Sequence, residues 1–192
     1  IMQINKKDQA RQLLDVYSSF EDNTKLKSEV ELLKSSLMLE KAINAMPVKI
    51  GYFSKGEVLT TDNYKSSSFK IVGFTIIDSS IMNKKIFISS DGNDKYILKN
   101  EDGNLLNDES FNLGDYISNK YFSCTFSLLN INSFVEELEI NELYFVFNDI
   151  KTVAESVKSK IEVNIENTQA KTVRIQFKHK NAYYFIKKVV KA

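Results

Sequence analysis

The chain has 192 residues, 43% of them hydrophobic and 11% aromatic, which is the composition of a folded protein with a substantial core rather than a disordered segment. Its 26 basic and 25 acidic residues leave a formal net charge of +1, which excludes a general field drawing it to nucleic acid or an anionic membrane. Cys124 is the only cysteine and His179 the only histidine, excluding internal disulfides, thiolate clusters and multi-histidine metal sites.

In chain order, Ala10, Leu13, Leu14 and Tyr17 recur at helical spacing and predict a short amphipathic helix. A second helix is expected from Thr24, with Leu26, Val30, Leu33 and Leu37 spaced alternately by four and three. Two heptads are too few for a coiled coil, so the stripe reads as packing against a sheet. The Ser35-Ser36 pair is placed to kink or re-cap this helix before Leu39, Ala42, Ile43 and Met46 resume the apolar face. Pro47 ends it, because the residue before a proline is pushed out of helical geometry.

The zone 48–148 reads as strands. Phe122, Cys124, Phe126 and Leu128 alternate with Ser123, Thr125 and Ser127, the period of a half-buried strand. Asp91-Gly92-Asn93 and Asp102-Gly103-Asn104 carry turn chemistry between apolar runs, so Ile86–Ser89, Tyr96–Lys99 and Leu105-Leu106 are expected as a meander. Leu143–Phe147, apolar on both faces, is expected as a central strand. The zone 149–192 reads as helix, strand, strand, helix: a helix after Asp149, alternating strands at 161–165 and 173–177, and a last helix from Asn181. The whole is expected to be one α+β domain over 1–192, a sandwich-like, mostly antiparallel sheet covered by amphipathic helices with an added β-meander. No apolar run approaches the roughly 20 residues that cross a bilayer. The chain opens Ile1-Met2-Gln3 and closes inside an expected helix, so both ends are read as cuts from a longer protein with flanking membrane helices.

Motifs for catalytic chemistry are sparse. Gly51-Tyr52-Phe53-Ser54-Lys55-Gly56 has phosphate-loop glycine spacing, but Glu57 stands where the lysine is needed, so a strand ending in a glycine turn is expected. Cys124 sits on the apolar face of its strand and His179 lies between two lysines, with no nucleophile elbow beside either. The acidic runs near Asp91, Glu101 and Glu136 lack calcium-loop spacing and read as turns and solvated faces. Lysines among the aromatics of 178–188 divide at helical spacing into an apolar stripe and a charged face, not a nucleic-acid groove. No catalytic, cofactor or metal site is expected in these residues.

Val30-Glu31-Leu32-Leu33-Lys34-Ser35-Ser36-Leu37-Met38-Leu39-Glu40-Lys41-Ala42-Ile43 resembles the "E-I-x-x-L-K-S-x-x-V-L-E-K-V-I" segment of bacterial polysaccharide chain-length determinants, a family that includes the periplasmic parts of exopolysaccharide tyrosine autokinases. Tyr52-Phe53-Ser54-Lys55-Gly56, followed by Asp62-Asn63-Tyr64-Lys65-Ser66-Ser67-Ser68-Phe69, is similar to the family's "elY-x-x-S-P-F" element, with Ser68 in place of the proline, and Phe111–Asp115 to its "f-x-f-G-e" element. The closing order, including Lys171–Phe177, is similar to the family's "s-x-v-I-x-i-s" strand and the start of its long helix.

The resemblance implies a domain on the periplasmic side of the inner membrane, anchored by flanking helices and assembling with copies of itself into a ring. Such rings set the length of a surface polysaccharide or couple its export, with the polysaccharide and the polymerase or export proteins as partners. Any tyrosine kinase activity would belong to another part of the parent. Lys27, Glu31 and Lys34 are the side chains expected to meet a neighbouring copy through paired charges. Competing readings are an unrelated periplasmic or surface α+β module that binds glycan or peptide, and an enzyme using Cys124 or His179.

Overall fold

The computed structural model describes residues 24–178 apart from 64, 65, 94, 168 and 169. The helices expected around Ala10–Tyr17 and from Asn181 lie outside the described residues. The architecture is α+β, and every strand pairing is antiparallel. No helix among the described residues is long and apolar enough to cross a membrane. The chain divides into two compact units, one formed by the residues up to Met46 together with those from Lys151, the other by Pro47–Ile150. The helical zone up to Met46 and the zone from Lys151 therefore contribute to the same unit.

In the terminal unit, a helix α1 occupies 24–33, and Leu26 and Val30 are its buried residues. The chain leaves helical geometry at Lys34 and Ser35, then α2 runs over Ser36–Asn44. Ser35 is extended at φ −67° and ψ 141°, and its Oγ accepts the Met38 N–H at 3.3 Å. It is the N-cap that the serine pair predicts. Re-capping resets the helical phase. Leu37, which would continue the Leu26–Leu33 stripe, is 69% exposed, while Leu39, Ala42, Ile43 and Met46 are buried.

Helix α4, Ile150–Lys158, buries Ala154 and Val157. The Ser36 Oγ donates to Glu155 at 2.8 Å and accepts from the Lys158 ammonium at 3.1 Å, tying the first turn of α2 to α4. The strands β9, Ile161–Asn167, and β10, Thr172–Phe177, form a hairpin that sets Val173 opposite Ile165, Ile175 opposite Val163 and Phe177 opposite Ile161. Those pairs gather the apolar residues of both strands on one face, as period-two patterning requires. Ser35→Ala is expected to destabilise this unit by about 1 kcal/mol, read as a lower urea midpoint, and Ser35→Asp to restore it.

In the second unit, a five-stranded sheet has the order β2-β1-β8-β4-β5. Its strands are β1, Ile50–Lys55; β2, Thr60–Asp62; β4, Lys85–Ser90; β5, Tyr96–Lys99; and β8, Glu142–Phe147. The expected central strand is β8, buried from Leu143 to Phe147. A three-stranded sheet, β3-β7-β6, combines Phe69–Ile76, Phe122–Leu128 and Tyr116–Ser118.

The inner faces of the two sheets meet through rings. Phe122 and Phe126 of β7 contact Phe145 at 6.3 and 5.7 Å between centroids, and Phe122 contacts Phe147 at 5.0 Å. Thus the inner face of the larger sheet is covered by a second sheet together with one helix, α3, Ile131–Ile140. Asn130 caps α3 by accepting the Ser133 N–H at 3.2 Å, and Phe134 drives into the core. α3 carries no clear helical signature in the sequence, because Phe134 is its only fully buried residue and its glutamates form an acidic run.

Both predicted glycine turns are present: Gly92 and Gly103 have φ of 86° and 82°, values open to glycine at no steric cost. Leu105 pairs with Lys99 only as a single bridge, so the meander's third strand shrinks to isolated contacts.

Two buried polar groups complete the backbone bonding of edge strands. The Asn107 carboxamide accepts the Leu98 N–H at 3.0 Å and donates to the Glu109 carbonyl, sealing β5 where no strand lies. The Tyr52 hydroxyl accepts the Ile71 N–H of β3 at 3.0 Å, linking the two sheets by a hydrogen bond. Tyr52→Phe leaves that amide buried without its acceptor and is expected to cost about 1–3 kcal/mol of unfolding free energy, measured by denaturant titration.

Candidate functional site

Strand register organises the outer face of the five-stranded sheet. Phe53 and Tyr144 are directly opposite, as are Tyr144 and Phe87, giving a row of three rings across β1, β8 and β4. Their centroids are 4.9 and 5.2 Å apart, with interplanar angles of 15° and 43°. Rings stacked this way spend their faces on each other, so the row is cross-strand packing and not a flat platform. Lys55 lies opposite Glu142 and pairs with it at 2.6 Å. Lys85 pairs with Glu101 at 2.7 Å and stands 5.9 Å from the Tyr144 ring centroid. The hydrogen bond that Lys85 donates to Glu101 raises its ammonium above the ordinary value, and burial raises the Tyr144 hydroxyl.

Beside this row, a groove of about 700 Å³ opens where the ends of β4 and β5 meet the C-terminal half of α3. Phe87, Ile88, Tyr96, Val135 and Leu138 supply its apolar surface. Lys55, Lys99, Asn100, Glu101, Glu139 and Glu142 line it with charge and amide groups. A smaller hollow of about 450 Å³ shares Lys55, Leu138, Glu139, Asn141 and Glu142 with the groove and continues it to Gly56 and Glu57 of the β1–β2 turn. The groove joins three separate stretches of sequence, so no spacing along the chain announces it. The one available signal is the opposite charge of Lys55 and Glu142, which means nothing until register sets them side by side.

Lys27 and Glu31 are exposed on α1, and Glu31 pairs with Lys34 at 3.9 Å along the chain itself. Gly51 is a close-packing glycine: a Cβ there would meet the Phe53 ring at 2.7 Å. Gly56 donates to the Leu59 carbonyl at 3.0 Å, so the glycine pair of the phosphate-loop pattern belongs to a strand and its turn. The Asp91 carboxylate accepts the Asn93 and Lys95 N–H groups at 2.9 and 3.2 Å, and the Asn93 bond holds it below the usual carboxylate range. Among the described residues, no three His, Cys, Asp or Glu side chains are placed to hold a metal ion.

Cys124 faces inward on β7, fully buried, and burial pushes its thiol up to about 12. His179 lies outside the described residues. No protein-family model matches the chain, and no curated protein matches it significantly.

The neutral thiol is the form that folding favours at Cys124. Its contribution is complete below the free-thiol value of about 8.5 and is lost as pH climbs toward about 12. At pH 8 the thiolate fraction should be lower than in the unfolded chain by on the order of a thousandfold. A thiol reagent is therefore expected to label the native protein slowly and the urea-unfolded protein at the rate of a free cysteine.

Proposed function

We propose that this chain is a non-catalytic scaffold domain of a membrane-anchored regulator of surface-polysaccharide chain length or export, facing the periplasm and working as a homo-oligomer. The observation that carries the reading is where the resembling residues sit. Leu39, Ala42 and Ile43 of the helical segment form the buried face of α2, behind the Ser35 cap. At the second element, Ser67 and Ser68 are buried, and the Ser67 Oγ donates to the Phe69 carbonyl at 2.7 Å. Ser68, in the proline's place, donates to Glu137 at 3.0 Å, while its carbonyl accepts the Leu129 and Asn130 N–H groups. Phe69 then enters the core. At the third element, Asp115 accepts the Asn112 N–H at 2.8 Å and closes the turn after buried Phe111. The similarity thus runs through framework positions, which is what a shared fold asks for, and it leaves function to other surfaces.

The outer side of α1, with Lys27 and Glu31, together with Lys34 just after it, is the surface we assign to neighbouring copies. Exposed charge pairs contribute about 0–1 kcal/mol each, so the membrane must supply the effective concentration that completes the assembly.

The groove favours a second reading, an unrelated periplasmic module that binds glycan or peptide. Deleting the gene in its own bacterium separates the two. Loss of the preferred surface-polysaccharide length, restored by the full-length protein, is expected. A length distribution unchanged by the deletion would remove the regulator reading.

A further inference from the structure

We propose that the groove between the β4–β5 end and α3 binds a neutral, polyhydroxylated chain, a segment of uncharged glycan. Its volume of about 700 Å³ falls within the roughly 300–1,000 Å³ of ordinary ligand sites, and the adjoining hollow lengthens it toward Gly56. That elongated form suits a piece of polymer better than a compact metabolite.

The lining chemistry narrows the class. A sugar ring offers apolar C–H faces and an edge of hydroxyls that both donate and accept. The groove matches both: half-buried Phe87, with Val135 and Leu138, supplies apolar surface, and Lys55 and Glu142 stand together as donor and acceptor 2.6 Å apart. The Asn141 carboxamide adds groups of both kinds, while the Asn100 oxygen is taken by the Asp102 and Asn104 N–H groups. The groove is lined by the carboxylates of Glu101, Glu139 and Glu142 against two lysines, Lys55 and Lys99, so no positive excess draws in phosphate or an acidic polymer. An acyl chain would strip water from these charges without replacing it. A peptide adding as a strand would need a bare sheet edge, and the β5 edge is sealed by Asn107 and by bridges to Leu105 and Phe111.

The site stands on this chemistry alone; that its natural ligand is the cell's own surface polysaccharide rests on the scaffold reading above.

The test is saturation-transfer NMR on the purified chain with two uncharged hexasaccharides, maltohexaose and laminarihexaose, at about 10 mM, a concentration suited to millimolar binding. A hyaluronan hexamer and an unstructured neutral peptide serve as comparisons. Transfer to a neutral hexasaccharide is expected, at least about tenfold weaker binding in Glu142→Ala and Asn141→Ala, and little transfer to the comparisons. Both substitutions are at the groove surface, and unchanged near-ultraviolet circular dichroism checks that the variants stay folded. No transfer from either neutral probe, stronger transfer to hyaluronan or peptide, or binding untouched by both substitutions would overturn the proposal. None of these results depends on the gene-deletion experiment, so the groove and the regulator reading can fail separately.

Discussion

Phe69 is where the two sheets and the helix of the Pro47–Ile150 unit come together. Its ring meets Tyr52 of β1 edge-on at 5.3 Å, stacks with Phe126 of β7 at 5.7 Å and meets Phe134 of α3 edge-on at 5.6 Å. Each such pair contributes about 0.5–1.5 kcal/mol beyond the area it buries. Geometry matters more than the sum. Edge-to-face contacts fix the angle between partners, so one ring orients a strand from each sheet and the helix that closes the core. Tyr52 reinforces the arrangement twice over, packing its ring on Phe69 and holding the Ile71 amide with its hydroxyl.

The groove follows from the same anchor. Phe134 pins α3 to Phe69 and, at 5.4 Å, to Tyr96 of β5. With that turn fixed, Val135 and Leu138 face the ends of β4 and β5 across the groove. A helix held by one deep aromatic leaves its flanking residues to line a surface instead of filling a core. That explains how a helix with a single fully buried residue persists and what its remaining apolar residues do.

What could be read from sequence divides along physical lines. Strands β7, β8, β9 and β10 were legible because side-chain alternation, or its absence in β8, reports burial directly. The turns at Gly92 and Gly103 and the Ser35 cap were legible because each depends on one residue's local chemistry. The Leu26–Leu37 stripe misled at Leu37, since a periodic pattern carries no sign that a cap has reset its phase. Short edge strands β2 and β6, and α3 with its lone anchor, bury too little to impose a pattern. Asn107 reads as a loop residue, yet it acts as a piece of strand, a role created by the edge it happens to meet. The groove was invisible for a further reason: Lys55, Lys99 and Glu142 are joined by register between strands, and register is a tertiary fact.

Apart from Lys55 and Gly56, the residues that carry the resemblance and those that line the groove are different sets under different constraints. Truncating a buried ring such as Phe69 costs about 3–5 kcal/mol, a large part of a domain's stability, so framework positions are held by folding itself. Exposed pairs such as Lys55–Glu142 contribute about 0–1 kcal/mol, so the groove can be rewritten while the fold stays put. On the reading proposed above, such a chain would keep one scaffold across relatives handling different polysaccharides and change its groove freely. Similarity at framework positions such as Leu39, Ala42 and Phe69 therefore speaks to the frame, and the ligand has to be read from the groove's own donors, acceptors and rings.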